Sequence, residues 1–318
     1  MGTSLNIILP FFILVGMGYF AARRGIISKP AVGGLNGFVF YFALPAMVYQ
    51  SLSTKLLEEL INLPYMVAYT TVGFVLFALT AFAARTFFNA PLGVMSLFGQ
   101  GAVVGNVGFL GIPLITAIMG ADAAIPVEVA WAIDLVIMVP LSIVLLEFAR
   151  SGGSHPLLIA RDALKAATFN PFVISIALGL AGATWQWELP DLVNNLLNML
   201  ASATAPVALF TIGASLWGRP ISERLSETAL LTTAKLVIHP MLVWFALFVV
   251  VPVDPFWATA AVLTASMPIA GNVFVIAQTF NIYVTRCSTA ILVSTTAAAL
   301  LFPLLVAYSG LMDGMLVH

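Results

Sequence analysis

The tripeptide Gly-Asn-Val occurs twice, at residues 105–107 and 271–273, each time inside a long apolar stretch that also holds a proline, Pro113 in one and Pro268 in the other. Glycine, asparagine and proline within a turn or two weaken a helix. In lipid, backbone freed in this way persists only where protein or a water-filled cavity satisfies it. One such break in each half points to a fold in which two breaks face each other across a site, as in transporters built by internal repetition.

Composition places the chain in lipid. Hydrophobic residues make up 61% of its 318 residues and charged residues 8%, where soluble domains carry about a quarter charged residues. A crossing takes about 20 apolar residues, which leaves room for roughly ten helices and short links but no separate soluble domain. The net charge of −1 gives no sign of a nucleic-acid partner. The single cysteine, Cys287, excludes an internal disulfide and a thiolate metal cluster and reads as a small packing residue. The first apolar stretch has no positive residue before it and Arg23, Arg24 and Lys29 after it, so it reads as a span rather than a cleaved signal.

Apolar runs between charges and turn residues predict helices near residues 5–22, 35–52, 63–84, 92–119 and 123–148, then 169–184, 192–217, 229–251, 256–280 and 287–308, with spans 2 and 6 short. Eleven of the twelve Lys and Arg follow odd-numbered spans, and Lys55 alone falls on the other side. By the positive-inside rule that face is cytoplasmic and both termini lie outside. A linker at 150–168 joins two five-helix halves, 1–149 and 169–318. Five is odd, so the halves enter the membrane from opposite sides and any likeness between them is an inverted repeat. The prolines agree: 35 residues separate Pro10 from Pro45, and 35 separate Pro171 from Pro206. The fold expected is all-α and polytopic: ten transmembrane helices as two inverted five-helix repeats, with broken, crossing helices 4 and 9.

Where two broken helices cross, helix N-termini and two asparagine amides converge on a region suited to an anion. Asn106, Asn272, Gly105, Pro113, Pro268 and Gly271 are therefore the candidate substrate contacts. The alternative is that the two amides only repair backbone freed beside them. Asp134, about eleven residues into span 5, is the deepest carboxylate, and burying it ionised is costly unless a cation or several donors meet it. It is the candidate coupling site for H⁺ or Na⁺, with Gln100, Thr295, Thr296 and His239 as further candidates and a Na⁺ position near Asp134 and Asn106. The alternative for Asp134 is a structural hydrogen bond. Glu128, shallower, is expected to reach water. Lys235 and His239, four apart on span 8, share a helix face near its cytoplasmic end, and Lys235 is expected to snorkel. No His-Glu-x-x-His pattern, Gly-x-Ser-x-Gly elbow or paired intramembrane carboxylate suggests an enzyme.

The chain resembles the auxin efflux carrier family, including its bacterial organic-acid and malonate permeases. The resemblance rests on Leu5-Asn6-Ile7-Ile8-Leu9-Pro10 with Gly16 and Gly18, on Phe40-Tyr41-Phe42-Ala43-Leu44-Pro45-Ala46, and on Gly105-Asn106-Val107-Gly108-Phe109-Leu110-Gly111-Ile112-Pro113. It implies a fold similar to that of bile-acid sodium symporters. In such folds helices 1, 2, 6 and 7 form a scaffold, possible as a homodimer contact, and helices 3–5 and 8–10 form a mobile domain moving by an elevator-like mechanism. Span 9 lacks the acidic residue that sodium-coupled bile-acid carriers place at the crossing, and the long hydrophilic loop of the plant carriers is absent. The function expected is secondary transport of a small organic-acid anion in the bacterial inner membrane, and the alternative is a non-transporting receptor or lipid-binding module on the same fold.

Overall fold

The computed structural model describes residues 2–55, 58, 61–151, 169, 171–218 and 224–308; the linker expected at 150–168 falls almost wholly outside them. The described residues form helices in the order α1 (Gly2–Arg23), α2 (Lys29–Ser53), α3 (Leu63–Phe88), α4 (Leu92–Val103), α5 (Val107–Met119), α6 (Ala121–Arg150), α7 (Pro171–Trp185), α8 (Asp191–Leu216), α9 (Leu225–Val250), α10 (Pro255–Ala265), α11 (Gly271–Phe280) and α12 (Val284–Tyr308). Six of them, α2, α3, α6, α8, α9 and α12, are long and apolar enough to cross a membrane. Five shorter apolar helices accompany them: residues Ile13–Arg23 of α1, and α4, α5, α7 and α10. The two stretches that carry Gly-Asn-Val are each in two pieces, α4 with α5 and α10 with α11.

The second span is not short. It runs 25 residues from Lys29, because Ser28 caps it by accepting the Ala31 N–H and Pro30 occupies the first turn, where a missing N–H costs nothing. Prolines shape the helices elsewhere too. Each of the five π-helical turns among the described residues, ending at Ala43, Gly111, Met138, Ile238 and Val250, stops two residues before a proline: Pro45, Pro113, Pro140, Pro240 and Pro252. A proline ring clashes with the carbonyl four residues back and offers no N–H to it. Widening that turn moves the carbonyl aside, and the residue before the proline bonds one position further back, as Val139 does to Asp134 O.

Helix α1 lies directly on α8, and α7 directly on α2. A methyl group at Gly18 would collide with the Phe210 carbonyl, and one at Gly213 with the Val15 carbonyl. Likewise a methyl at Gly179 would press on the Leu52 side chain. Such contacts let helix backbones approach in lipid, where dispersion rather than water exclusion holds them. The outward faces carry Phe42, Phe82, Leu192, Met199 and Leu300, all exposed, as expected of surfaces meant for acyl chains.

Candidate functional site

Helix α4 ends at Val103, and Val104 is extended (φ −74°, ψ 110°). Asn106 (φ −76°, ψ 59°) then makes an inverse γ-turn, closed by the Val107 N–H on Gly105 O at 2.8 Å. On the other side α10 ends at Ala265, and Met267 N–H still reaches Thr264 O at 3.1 Å before Pro268 stops the helix. The two extended segments pair with each other as an isolated antiparallel bridge between Gly105 and Ile269. Asn106 N–H donates to Pro268 O at 2.7 Å and Ala270 N–H to Val104 O at 3.1 Å. The Ile269 N–H donates to Ser294 Oγ of α12 at 3.2 Å. Backbone polarity that lipid would leave unsatisfied is thus paired across the two breaks.

Five of the six expected substrate contacts, Gly105, Asn106, Pro268, Gly271 and Asn272, belong to this crossing. Pro113 does not. It is buried eight positions beyond Gly105 in α5, where the π turn ending at Gly111 absorbs it. Glycine and asparagine, not that proline, open the first helix. Asn106 and Asn272 are half-buried, and the buried Oδ1 of Asn272 has no hydrogen-bond partner. Gly271 and Asn272 begin α11 as Val107 begins α5, so two helix N-termini start at the crossing.

Lys235 corrects the expectation most. It does not snorkel. Its side chain is fully buried, and Nζ donates to Val103 O at 2.9 Å and Ala265 O at 3.0 Å. These carbonyls belong to the last residues of α4 and α10, and Nζ also lies 2.9 Å from His239 Nδ1. Lys235 stands ten residues into α9, about 15 Å along it at 1.5 Å per residue. That is too deep for its stem to reach the interface, and the helix ends offer carbonyls without intrahelical partners. An ammonium has only donors, so Nδ1 of His239 accepts and the imidazole proton sits on Nε2, which is buried without a partner. The His239 ring lies 6.1 Å from that of Tyr69.

Asp134 is fully buried and neither carboxylate oxygen has a hydrogen bond. The Lys235 ammonium and the Gly105 backbone amide lie within its electrostatic reach. Gln100, also fully buried, accepts from Ser142 Oγ at 3.0 Å, and its Nε2 has no partner. Thr295 is buried on α12. Thr296 faces outward and returns its hydroxyl to Leu292 O at 2.9 Å, so it is not brought to the crossing. Ser294, two residues before it, is, through its hydroxyl on the Ile269 N–H. Among the described residues no group of three His, Cys, Asp or Glu could hold a metal ion.

Glu128 does not reach water. It is 1% exposed, and Ser51 of α2 donates to its Oε2 at 2.5 Å. The packing of α2 on α6 covers it, and a second contact between these regions, Lys55 Nζ to Asp122 at 2.6 Å, lies nearer the helix ends.

The model of a membrane transport protein family matches residues 3–306. A Rhizobium meliloti protein named "Putative malonate transporter" is 33% identical over 296 residues, 93% of this chain and 92% of its own length. The Escherichia coli K12 "Uncharacterized transporter YfdV" is 26% identical over 290 residues, 89% and 90% of the two chains. The mouse "Lysosomal cholesterol signaling protein" is 24% identical over 314 residues, which cover 92% of this chain and 36% of the mouse protein.

Proposed function

The chain belongs to the membrane transport protein family, the auxin efflux carriers that its sequence resembles, and on that premise we propose that it carries a small organic-acid anion across the bacterial cytoplasmic membrane. The family transports rather than catalyses, and the chain is an integral membrane protein. The observation that carries the reading is the bridged crossing of α4–α5 with α10–α11. Two helix N-termini and the Asn106 and Asn272 amides meet there, and the amide of Asn272 holds an unmet polar group. Such a place binds carboxylate without a fixed countercharge in direct contact. The malonate named for the Rhizobium relative sets the substrate class to try first, a short dicarboxylate.

We take the ten spans as two inverted five-helix repeats, 1–149 and 169–318. Two contacts support it: Gly18 sits against α8 beside Gly213, and Gly179 sits against α2 at Leu52. Gly179 follows Gly18 by 161 residues and Gly213 follows Leu52 by 161, the same offset as Pro10 to Pro171. In this reading helices α1, α2, α7 and α8 are the scaffold, the remaining helices move as an elevator, both termini face outward, and Asp134 carries the coupling ion. Homodimerisation through the scaffold belongs to the same reading.

Purified protein reconstituted in liposomes tests it. Malonate should raise the unfolding temperature, because a ligand that binds only the folded state stabilises it, and labelled malonate should accumulate under an ion gradient. No stabilisation by dicarboxylates, monocarboxylates or aromatic acids would end the organic-acid reading. The mouse signaling relative favours a second reading, a ligand receptor on the same fold. Saturable binding with no flux would select it.

A further inference from the structure

The ends of α4 and α10 pose an electrostatic problem. Each finishes in carbonyls without intrahelical partners and carries partial negative charge, and the breaks bring the two ends together in the interior. Like poles repel, and no water from the bulk is at hand to screen them. The positive group that meets them is Lys235, reaching in from α9. An ammonium is a compact charge with three N–H donors, and here three acceptors face it: Val103 O at 2.9 Å, Ala265 O at 3.0 Å and His239 Nδ1 at 2.9 Å. Its donors are used up. Beside it stands Asp134 from α6, and Tyr69 of α3 lies against the His239 ring, all of them buried.

We propose that Lys235 is a tethered cation that holds the C-terminal ends of α4 and α10 together and makes anion binding at the crossing independent of dissolved alkali cations. A hard cation such as Na⁺ would seek the same carbonyl oxygens. Because the ammonium is covalently part of α9, the two half-helices are preassembled before substrate arrives, and no ordering cost falls on the binding step. The anion side of the crossing, at Asn106 and Asn272, then faces the positive starts of α5 and α11, while the opposite poles are neutralised from behind. Lys235 is a positioning residue and touches no substrate. Only the malonate arm of its test rests on the function proposed above.

Thermal unfolding of the purified full-length protein is followed in NaCl and in choline chloride at equal ionic strength, each with and without malonate. The wild type should unfold at the same temperature in both salts, with malonate affinities within about two-fold of each other. A saturable rise in unfolding temperature with Na⁺ alone, or a malonate response that requires Na⁺, overturns the proposal. Lys235→Met keeps the stem and removes the charge. It should weaken malonate at least about ten-fold in choline and regain affinity in Na⁺, which can enter the vacated oxygens, a response that a purely structural residue would not give. Wild-type affinity of the variant in choline, or no recovery in Na⁺, also overturns it. Should Lys235→Met fail to fold, the wild-type salt comparison decides alone. Should malonate act in neither salt, the substrate assignment fails, and the Na⁺ arm without malonate still judges Lys235.

Discussion

At the scale of single residues, the side chains that matter at the crossing differ in how they are satisfied, and the difference sets what each substitution should do. Asn106 gives its backbone N–H to Pro268 O in the bridge, and its carbonyl accepts from the Leu110 and Gly111 N–H groups of α5, so Asn106→Ala keeps those bonds and removes only the amide. Asn272 likewise presents a buried Oδ1 with nothing bound to it. Both alanine variants should fold with wild-type unfolding temperatures and lose malonate uptake; wild-type uptake kinetics in either would remove that side chain from the site. Asp134 is buried beside a cation without a direct bond, which suits a group that gains and loses its partner during a cycle. Asp134→Asn should still exchange substrate between the two sides of a liposome but fail to concentrate it under a gradient. Accumulation at the wild-type level would rule the residue out of coupling. The depth of Asp134 could be read from the sequence because a carboxylate far inside an apolar run has few innocent explanations. The role of Lys235 is not legible in the sequence, because a lysine stem often snorkels and only the positions of α4 and α10 reveal two carbonyls waiting for it.

At the scale of elements, glycine contacts decide how closely helices sit. The Val15 carbonyl occupies the place a side chain at Gly213 would take. Gly213→Leu should therefore force α1 away from α8 and lower stability by about 1–3 kcal/mol or more, measurable as a fall in unfolding temperature; a neutral outcome would mean the two helices are free to part. Helix positions were largely legible because apolar runs bounded by charge and turn residues have few other uses at this hydropathy. Where the structure differs from what the apolar pattern predicts, local chemistry is the cause. Ser28 and Pro30 start α2 earlier than its apolar run does. Of the glycine, asparagine and proline that mark the first stretch, Pro113 is accommodated by a π turn and the opening falls at Gly105 and Asn106. Proline announces strain in a sequence without saying whether the chain breaks or merely widens.

At the scale of the whole molecule, two contacts join α2 and the residues just after it to α6, Ser51 with Glu128 and Lys55 with Asp122. If the crossing travels against a stationary scaffold, these contacts must part during each cycle. In a Cys287→Ser background, cysteines at Ser51 and Glu128 bridged by mercuric ion should arrest malonate flux, and a thiol should restore it. Undiminished flux in the bridged protein would mean that α2 and α6 move together and that no elevator operates between them. The Gly105–Ile269 bridge has one more consequence, for biogenesis. During synthesis the first break emerges with the Asn106 N–H and Val104 carbonyl lacking the Pro268 and Ala270 partners they will use. At about 5–20 residues per second, the ribosome needs on the order of ten to thirty seconds to deliver them. Throughout that interval the nascent first half must leave a polar wound in the bilayer, dressed by water, lipid headgroups or the insertion machinery, until the late-made segment closes it.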